Sequence, residues 1–187
     1  MKKVLSLILA LALCLSLCAC GGAGSVKKAL RGEWVAVDGG LYTFSNGRFT
    51  CETVDADLNI GAKEGRYKIS KDTIKLSYED GTTAELKFTD ENGVLSINGL
   101  VEQSRIDEAL QGHWKGEKTP DTYTSYTFEN GHISAETVIL GNNLGADEGS
   151  YVILGNVIVL RFADGTSWKL NYTYKNGTLT LDDLVKE

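Results

Sequence analysis

The segment Tyr42-Thr43-Phe44-Ser45-Asn46-Gly47-Arg48-Phe49-Thr50-Cys51 carries the pattern from which the rest of the architecture follows. Apolar side chains alternate on both sides of Asn46-Gly47, which is the period of a strand with one buried face. Asn-Gly is the preferred dipeptide of a two-residue hairpin turn. Such a turn pairs Phe44 with Phe49 and Tyr42 with Cys51, so the apolar side chains share one face. We therefore expect an antiparallel hairpin.

The same hairpin recurs 84 residues further along, with its turn at Asn130-Gly131. The offset of 84 stays constant from Tyr42 to Ile97, and a short insertion around residues 118–121 accounts for a smaller offset before it. A repeat of this length predicts one small domain present in two copies. The shared motifs include Glu52-Thr53-Val54 with Glu136-Thr137-Val138, Glu64-Gly65 with Glu148-Gly149, and Asp80-Gly81-Thr82 with Asp164-Gly165-Thr166.

The other turns follow from the requirement that paired apolar residues face the same side. A three-residue loop at 79–81 satisfies it and predicts a glycine bulge at Gly81, and likewise at Gly165. A four-residue loop ending at Gly93 pairs Phe88 with Leu95. These turns give about seven strands per copy.

Short helical turns are expected before each copy, at Val26 to Leu30 and at Gln103 to Leu110, with Ser104 as a possible N-cap of the second. The segments from Asp55 to Glu64 and from Ile139 to Glu148 differ most between the copies and are predicted to be ten-residue loops.

The predicted fold class is all-β, as two tandem small antiparallel meander barrels, closed or partly closed. One larger barrel built from both halves is the alternative. The predicted organisation is a signal peptide at 1–19, a lipidated cysteine and glycine-rich linker at 20–27, β domains at 28–98 and 112–184, and a helical linker at 99–111.

The N-terminus has the pattern of a secretory signal peptide: Lys2-Lys3, then an apolar run from Val4 to Ala19, then small residues. That run is short for a membrane-spanning helix, which needs about 20 residues. The four residues Leu17-Cys18-Ala19-Cys20 resemble the lipobox of bacterial lipoproteins.

The lipobox resemblance implies that Cys20 carries diacylglycerol, with a further acyl chain such as palmitate on its amine. It implies an extracytoplasmic protein anchored to the cell membrane by lipid. Two other interpretations stay open: an ordinary secretory signal that ends at Ala19, and lipidation of Cys18. With Cys20 capped and the signal removed, Cys51 is alone, so no intramolecular disulfide is expected.

Gly32-Glu33-Trp34 and Gly112-His113-Trp114 resemble the Gly-x-Trp start of lipocalins. Together with the lipobox, they make the chain similar to the lipocalin-like domains of unknown function found in bacterial lipoproteins, with two copies over residues 28 to 183. The resemblance implies a barrel whose tryptophan closes one end, and it implies ligand binding by analogy.

The chain is acidic, with a formal charge of −6. Without residues 1–19 it has 17 basic and 25 acidic residues, a charge of −8. An acidic surface repels phosphate backbones and anionic lipid surfaces, so no nucleic-acid partner is expected.

Candidate contact residues for a ligand or partner fall into two groups. The aromatic ones line either a cavity or simply the core, and the polar ones form a spaced oxygen set typical of a calcium loop. That set has Arg66 where a bidentate Glu is needed, and the second copy lacks its acids, so a solvated loop is expected and no metal. The candidates are Trp34, Trp114, Trp168, Tyr42, Tyr126, Asp55, Asp57 and Asn59.

No catalytic motif is evident, and His113 and His132 align with Glu33 and Arg48 of the first copy. The predicted function is therefore a membrane-anchored, non-enzymatic binding or interaction module without a cofactor. A small molecule, a glycan or an envelope protein would be its partner. The alternatives are a lipocalin-like carrier of a small apolar ligand and an enzyme of an unrecognised kind. Recognition is expected at the two variable segments and at Lys118 to Tyr123.

Overall fold

The computed structural model describes residues 22–36, 39–55, 58–91 and 93–187. Within these ranges the helices are α1 (Gly22–Ala29) and α2 (Gln103–Leu110). The α2 prediction is confirmed, whereas α1 begins four residues earlier than expected. Ser104 lies inside α2 and is not its N-cap, which is Glu102 without a side-chain hydrogen bond.

The first copy forms an eight-stranded antiparallel sheet, one strand more than expected. Its order is β7-β6-β5-β4-β3-β2-β1-β8. The strands are β1 (Gly32–Ala36), β2 (Leu41–Ser45), β3 (Arg48–Val54), β4 (Ile60–Ser70), β5 (Thr73–Tyr78), β6 (Thr83–Glu91), β7 (Val94–Ile97) and β8 (Leu100–Glu102).

The second copy repeats this arrangement in the order β15-β14-β13-β12-β11-β10-β9-β16. Its strands are β9 (Gly112–Thr119), β10 (Thr122–Glu129), β11 (His132–Ile139), β12 (Asn142–Leu154), β13 (Val157–Phe162), β14 (Ser167–Lys175), β15 (Thr178–Leu181) and β16 (Val185–Lys186). The tandem all-β architecture predicted from the repeat is therefore confirmed, and a single larger barrel is not what the chain forms.

Each sheet curls into a nearly closed barrel because its last two strands lie at opposite edges. Only residues 98 and 99 separate β7 from β8. Three residue steps span at most about 11 Å, so the two edges must come close together. In the second sheet, an isolated bridge between Leu181 and Leu184 joins the last residue of β15 to the residue just before β16.

The described residues pack into two compact units. The first contains residues 22–32, 44–49 and 65–98, and the second contains 33–43, 50–64 and 99–187. In the first unit, the Phe44 and Tyr67 rings make an edge contact with centroids 5.3 Å apart. The core of the second unit includes Val35 and Leu41 as well as the inward side chains of β10 to β15.

Most of the predicted turns are confirmed. Asn130 and Gly131 both have positive φ, at 50° and 83°, as a two-residue primed turn requires. In the first copy Gly81 has φ 86°, and Tyr78 bonds to Thr82 across a three-residue loop.

Two turn predictions are wrong. Glu91 pairs with Val94, so a two-residue turn replaces the four-residue loop and Phe88 pairs with Ile97 instead of Leu95. The predicted loop from Ile139 to Glu148 is mostly strand: β11 and β12 continue to a two-residue turn at Leu140-Gly141. In the first copy, β4 likewise begins at Ile60.

Candidate functional site

An open groove of about 770 Å³ lies at the end of the second sheet where β9 meets β10 and β11 meets β12. All of its lining residues belong to the second compact unit. β9 contributes Gly116, and β10 and β11 contribute the walls. The segment Asp183 to Val185, which leads into β16, completes it.

The inner wall of the groove is a pair of threonines. The inward pairs Phe128–Ile133 and Tyr126–Ala135 are buried, and the next pair on that face is Thr124–Thr137. Alternation therefore places both threonine side chains above the filled core. Within the described part of the chain, neither hydroxyl makes a side-chain hydrogen bond.

The base of the groove is the ring of Tyr126, which is 8% exposed. Burial raises the pKa of its hydroxyl, and among the described residues that hydroxyl has no hydrogen-bond partner. The buried tyrosines elsewhere in this unit do have partners. Tyr151 donates to Asp107 Oδ1 at 2.6 Å, and Tyr172 donates to the Gly155 carbonyl at 2.5 Å.

The strands around the groove depart from regular pairing. The register shifts between Thr122 and Tyr123 on β10, and between Glu136 and Val138 on β11. Such bulges turn side chains toward a different direction at sheet ends. Here they accompany a buried Val138 directly followed by an exposed Ile139.

The segment from Asp183 to Val185 needs a glycine opposite it on β9. A Cβ atom at Gly116 would stand 2.9 Å from Cδ2 of Leu184, closer than real Cβ contacts. Gly116 therefore allows Leu184 to pack against the groove, while Val185 pairs with Lys115.

Four exposed apolar residues lie in the groove lining or in the turn and strand that follow Ile139, and we call them the apolar rim: Ile139, Leu140, Leu144 and Val185, exposed by 44%, 79%, 65% and 69%. Ile139 and Val185 line the groove itself. The N–H of Leu140 donates to Thr122 Oγ1 at 3.2 Å, which fixes the turn beside the groove.

The groove lining is nearly uncharged. Among the described residues that line it, Asp183 is the charged side chain and none is Lys, Arg or His. Lys115 is not a lining residue; its ammonium lies over the Tyr123 ring, 4.1 Å from the centroid. The arrangement has no nucleophile beside a base, and it offers hydroxyls and flat apolar surface.

Of the candidate residues named from the sequence, Tyr126 lines this groove. Trp34 and Trp114 are buried, and Trp114 Nε1 donates to the Leu110 carbonyl at the end of α2, at 2.7 Å. Tyr42 is partly buried. Trp168 is 47% exposed and contacts the edge of Phe162.

The polar candidates stabilise a loop. The backbone N–H of Asn59 donates to Asp55 Oδ1 at 2.9 Å, and its amide reaches both Asp55 oxygens. These oxygens are therefore engaged within the loop. Asp57 and Cys20 lie outside the described residues. Among the described residues, no group of three or more His, Cys, Asp or Glu is placed to hold a metal ion.

Sequence reasoning missed the threonine pair. Threonine is an ordinary strand residue, so Thr124 and Thr137 gave no signal individually. The available signal was their position on the same face as Tyr126, one pair beyond the core. The predicted recognition segments do contribute, since Thr122, Tyr123 and Ile139 line the groove.

A smaller cavity of about 180 Å³ lies elsewhere in the second unit. Its lining includes Val35, Ile106 and Tyr172. At about 180 Å³ this cavity is smaller than the roughly 300–1,000 Å³ of small-molecule sites.

No protein-family model matches this chain, and no curated protein or solved structure matches it. Within the described residues, no helix is both long and apolar enough to cross a bilayer. The groove and the sequence motifs are therefore the observations from which a function can be inferred.

Proposed function

We propose that this protein is an exported, lipid-anchored and non-enzymatic binding module that holds a small molecule in the groove of its second sheet. The groove carries the proposal: at about 770 Å³ it falls within the roughly 300–1,000 Å³ of small-molecule sites. It combines apolar walls with a few convergent hydroxyls, which is the usual composition of such sites.

The lining also supports a binding role over catalysis. Activated nucleophiles need an adjacent base within hydrogen-bond reach. The described lining residues offer threonine and tyrosine hydroxyls and the exposed carboxylate of Asp183, with no histidine, cysteine or lysine among them.

The lipid anchor is supported by Leu17-Cys18-Ala19-Cys20 and by the signal pattern before it. Several acyl chains, each methylene contributing about 0.8 kcal/mol on burial, hold a protein stably on a membrane. Only Gly21 stands between Cys20 and α1 in the sequence, so a lipid on Cys20 would be attached directly before this helix.

The anchor is tested by expressing the full chain in bacteria fed an alkyne analogue of palmitate. We expect the label and the membrane fraction to be lost in Cys20→Ala and kept in the matched variant Cys18→Ala. A label that persists in Cys20→Ala, or that disappears only in Cys18→Ala, would contradict attachment at Cys20.

A carrier of a small apolar ligand is the second candidate, and the apolar rim together with the groove volume favours it. Such a carrier should bind the fluorescent fatty acid cis-parinaric acid and should lose that binding when Tyr126 is replaced by Ala. Binding that survives this substitution would place the fatty acid outside the groove.

A further inference from the structure

We infer that the groove takes the head of an amphiphile whose head is uncharged and hydroxylated, as a glycosyl unit is, while the apolar part of the ligand lies on the rim. This inference rests on the proposed function and names its ligand class.

The hydroxyls of the groove suit a hydroxylated head. Thr124, Thr137 and Tyr126 each carry a group that both donates and accepts, and none is satisfied by the described residues. A ligand rich in hydroxyls can pair with all three in either direction. Because they line an open groove, these hydroxyls are free to exchange bound water for the hydroxyls of a ligand.

The charge of the site disfavours an anionic head. A carboxylate or phosphate needs a cation or several N–H donors, and the described lining contains no Lys, Arg or His. Asp183 stands at the edge of the groove, and the chain as a whole is acidic. Both repel a negative head group.

The two tyrosines give the groove flat apolar surface next to those hydroxyls. Tyr126 forms the base, and Tyr123 stands on the wall with its ring already facing the Lys115 ammonium. An aromatic face attracts positively polarised C–H edges, and a sugar ring presents such an edge together with its hydroxyls.

The rim indicates an apolar extension of the ligand. Leu140 has φ 50° in the turn, where the hairpins at Asn46, Asn130 and Asn176 use asparagine. A leucine there is disfavoured both by its left-handed backbone and by its 79% exposure. Exposed apolar groups in a strained turn beside a groove mark a contact surface.

The ligand class is tested by calorimetry on the chain from residue 21 onward, which contains every described element. The probes are octyl β-D-glucopyranoside below its micellar concentration, methyl β-D-glucopyranoside and octanoate. We expect octyl glucoside to bind about tenfold more tightly than methyl glucoside, and octanoate to bind more weakly than octyl glucoside.

Two variants separate the parts of the site. Thr124→Val with Thr137→Val keeps the shape of the wall and should weaken octyl glucoside binding about tenfold. Leu140→Asn with Leu144→Asn should remove the advantage of octyl over methyl glucoside. Val94→Asn, at a 52% exposed position of the first sheet, is the control and should change neither. Circular dichroism confirms that each variant is folded.

The outcomes distinguish this inference from the proposed function. If octanoate binds as tightly as octyl glucoside and the threonine variant has no effect, the head-group class is wrong and the groove remains a binding site for apolar ligands. If octyl and methyl glucoside bind equally, the rim has no role. If neither glucoside binds, the inference is overturned, and if cis-parinaric acid also fails to bind, the proposed function falls with it.

Discussion

At the scale of single residues, the repeat provides natural pairs in which one side chain sits in two environments. Tyr151 is half of such a pair: its hydroxyl donates to Asp107 and accepts from Gln111 Nε2 at 2.8 Å. Its counterpart Tyr67 is equally buried, yet its hydroxyl has no partner among the described residues. The residues of α2 that serve Tyr151 align with Lys27 and Arg31.

This pair gives the first stability prediction. Tyr151→Phe leaves Asp107 and Gln111 without their shared partner, so the free energy of unfolding should fall by about 1–2 kcal/mol. Tyr67→Phe removes a hydroxyl that is buried without a bond and should be neutral or slightly stabilising. Urea unfolding of both variants measures the difference. Equal losses in the two variants would contradict the account.

At the scale of elements, the hairpin turn at Leu140 has a residue that disfavours folding and that we assign to ligand contact. Among the described residues, four two-residue turns have positive φ at both positions. Three of them begin with asparagine, at Asn46, Asn130 and Asn176, and the fourth begins with Leu140. Leu140→Asn should therefore raise the free energy of unfolding by about 0.5–1 kcal/mol.

The reciprocal change is the control for the turn. Asn176→Leu places leucine at φ 52° in a sister hairpin and should lower stability by a similar amount. The midpoint of thermal unfolding measures the change in stability of Leu140→Asn and of Asn176→Leu. If Leu140→Asn is destabilising, Leu140 makes a stabilising contact that its exposure does not suggest.

The elements also show where sequence reasoning succeeds. The hairpin registers at Asn46-Gly47 and Gly81 followed from alternation, because a slip of one residue would turn Phe44 or Leu76 toward water. The segment Asn142 to Glu148 was mistaken for a loop because it is almost fully exposed as a strand and so lacks alternation. The groove was not predictable from any single strand, since it requires β9, β10, β11 and the segment before β16 together.

At the scale of the whole molecule, the two copies are not equivalent. Val35 and Leu41 of the first copy lie in the core of the second compact unit, whereas Lys115 and Ser125 occupy the corresponding positions of the second copy. Leu41 and Ser125 are both buried, so this position is apolar in the first copy and polar in the second without a change in burial.

Close backbone packing within the second unit gives a prediction at this scale. A Cβ at Gly155 would lie 2.5 Å from Gly39 Cα and 2.7 Å from Gly40 N. Gly155→Ala should therefore lower the free energy of unfolding by at least about 1 kcal/mol more than Gly177→Ala, which has a similar left-handed backbone and open space around it. Urea unfolding compares the two. Equal losses of stability in the two variants would mean that the close contact of Gly155 with the Gly39-Gly40 backbone does not stabilise the unit.

The most direct test of the binding groove is a ¹H–¹⁵N NMR titration of the chain from residue 21 with octyl β-D-glucopyranoside. We predict that amide shifts concentrate at Thr124, Tyr126, Thr137 and Leu184, and that the first-copy counterparts Tyr42 and Thr53 stay unchanged. Shifts confined to the first sheet, or saturable binding that leaves Thr124 and Thr137 unmoved, would contradict the assignment of the ligand site to this groove.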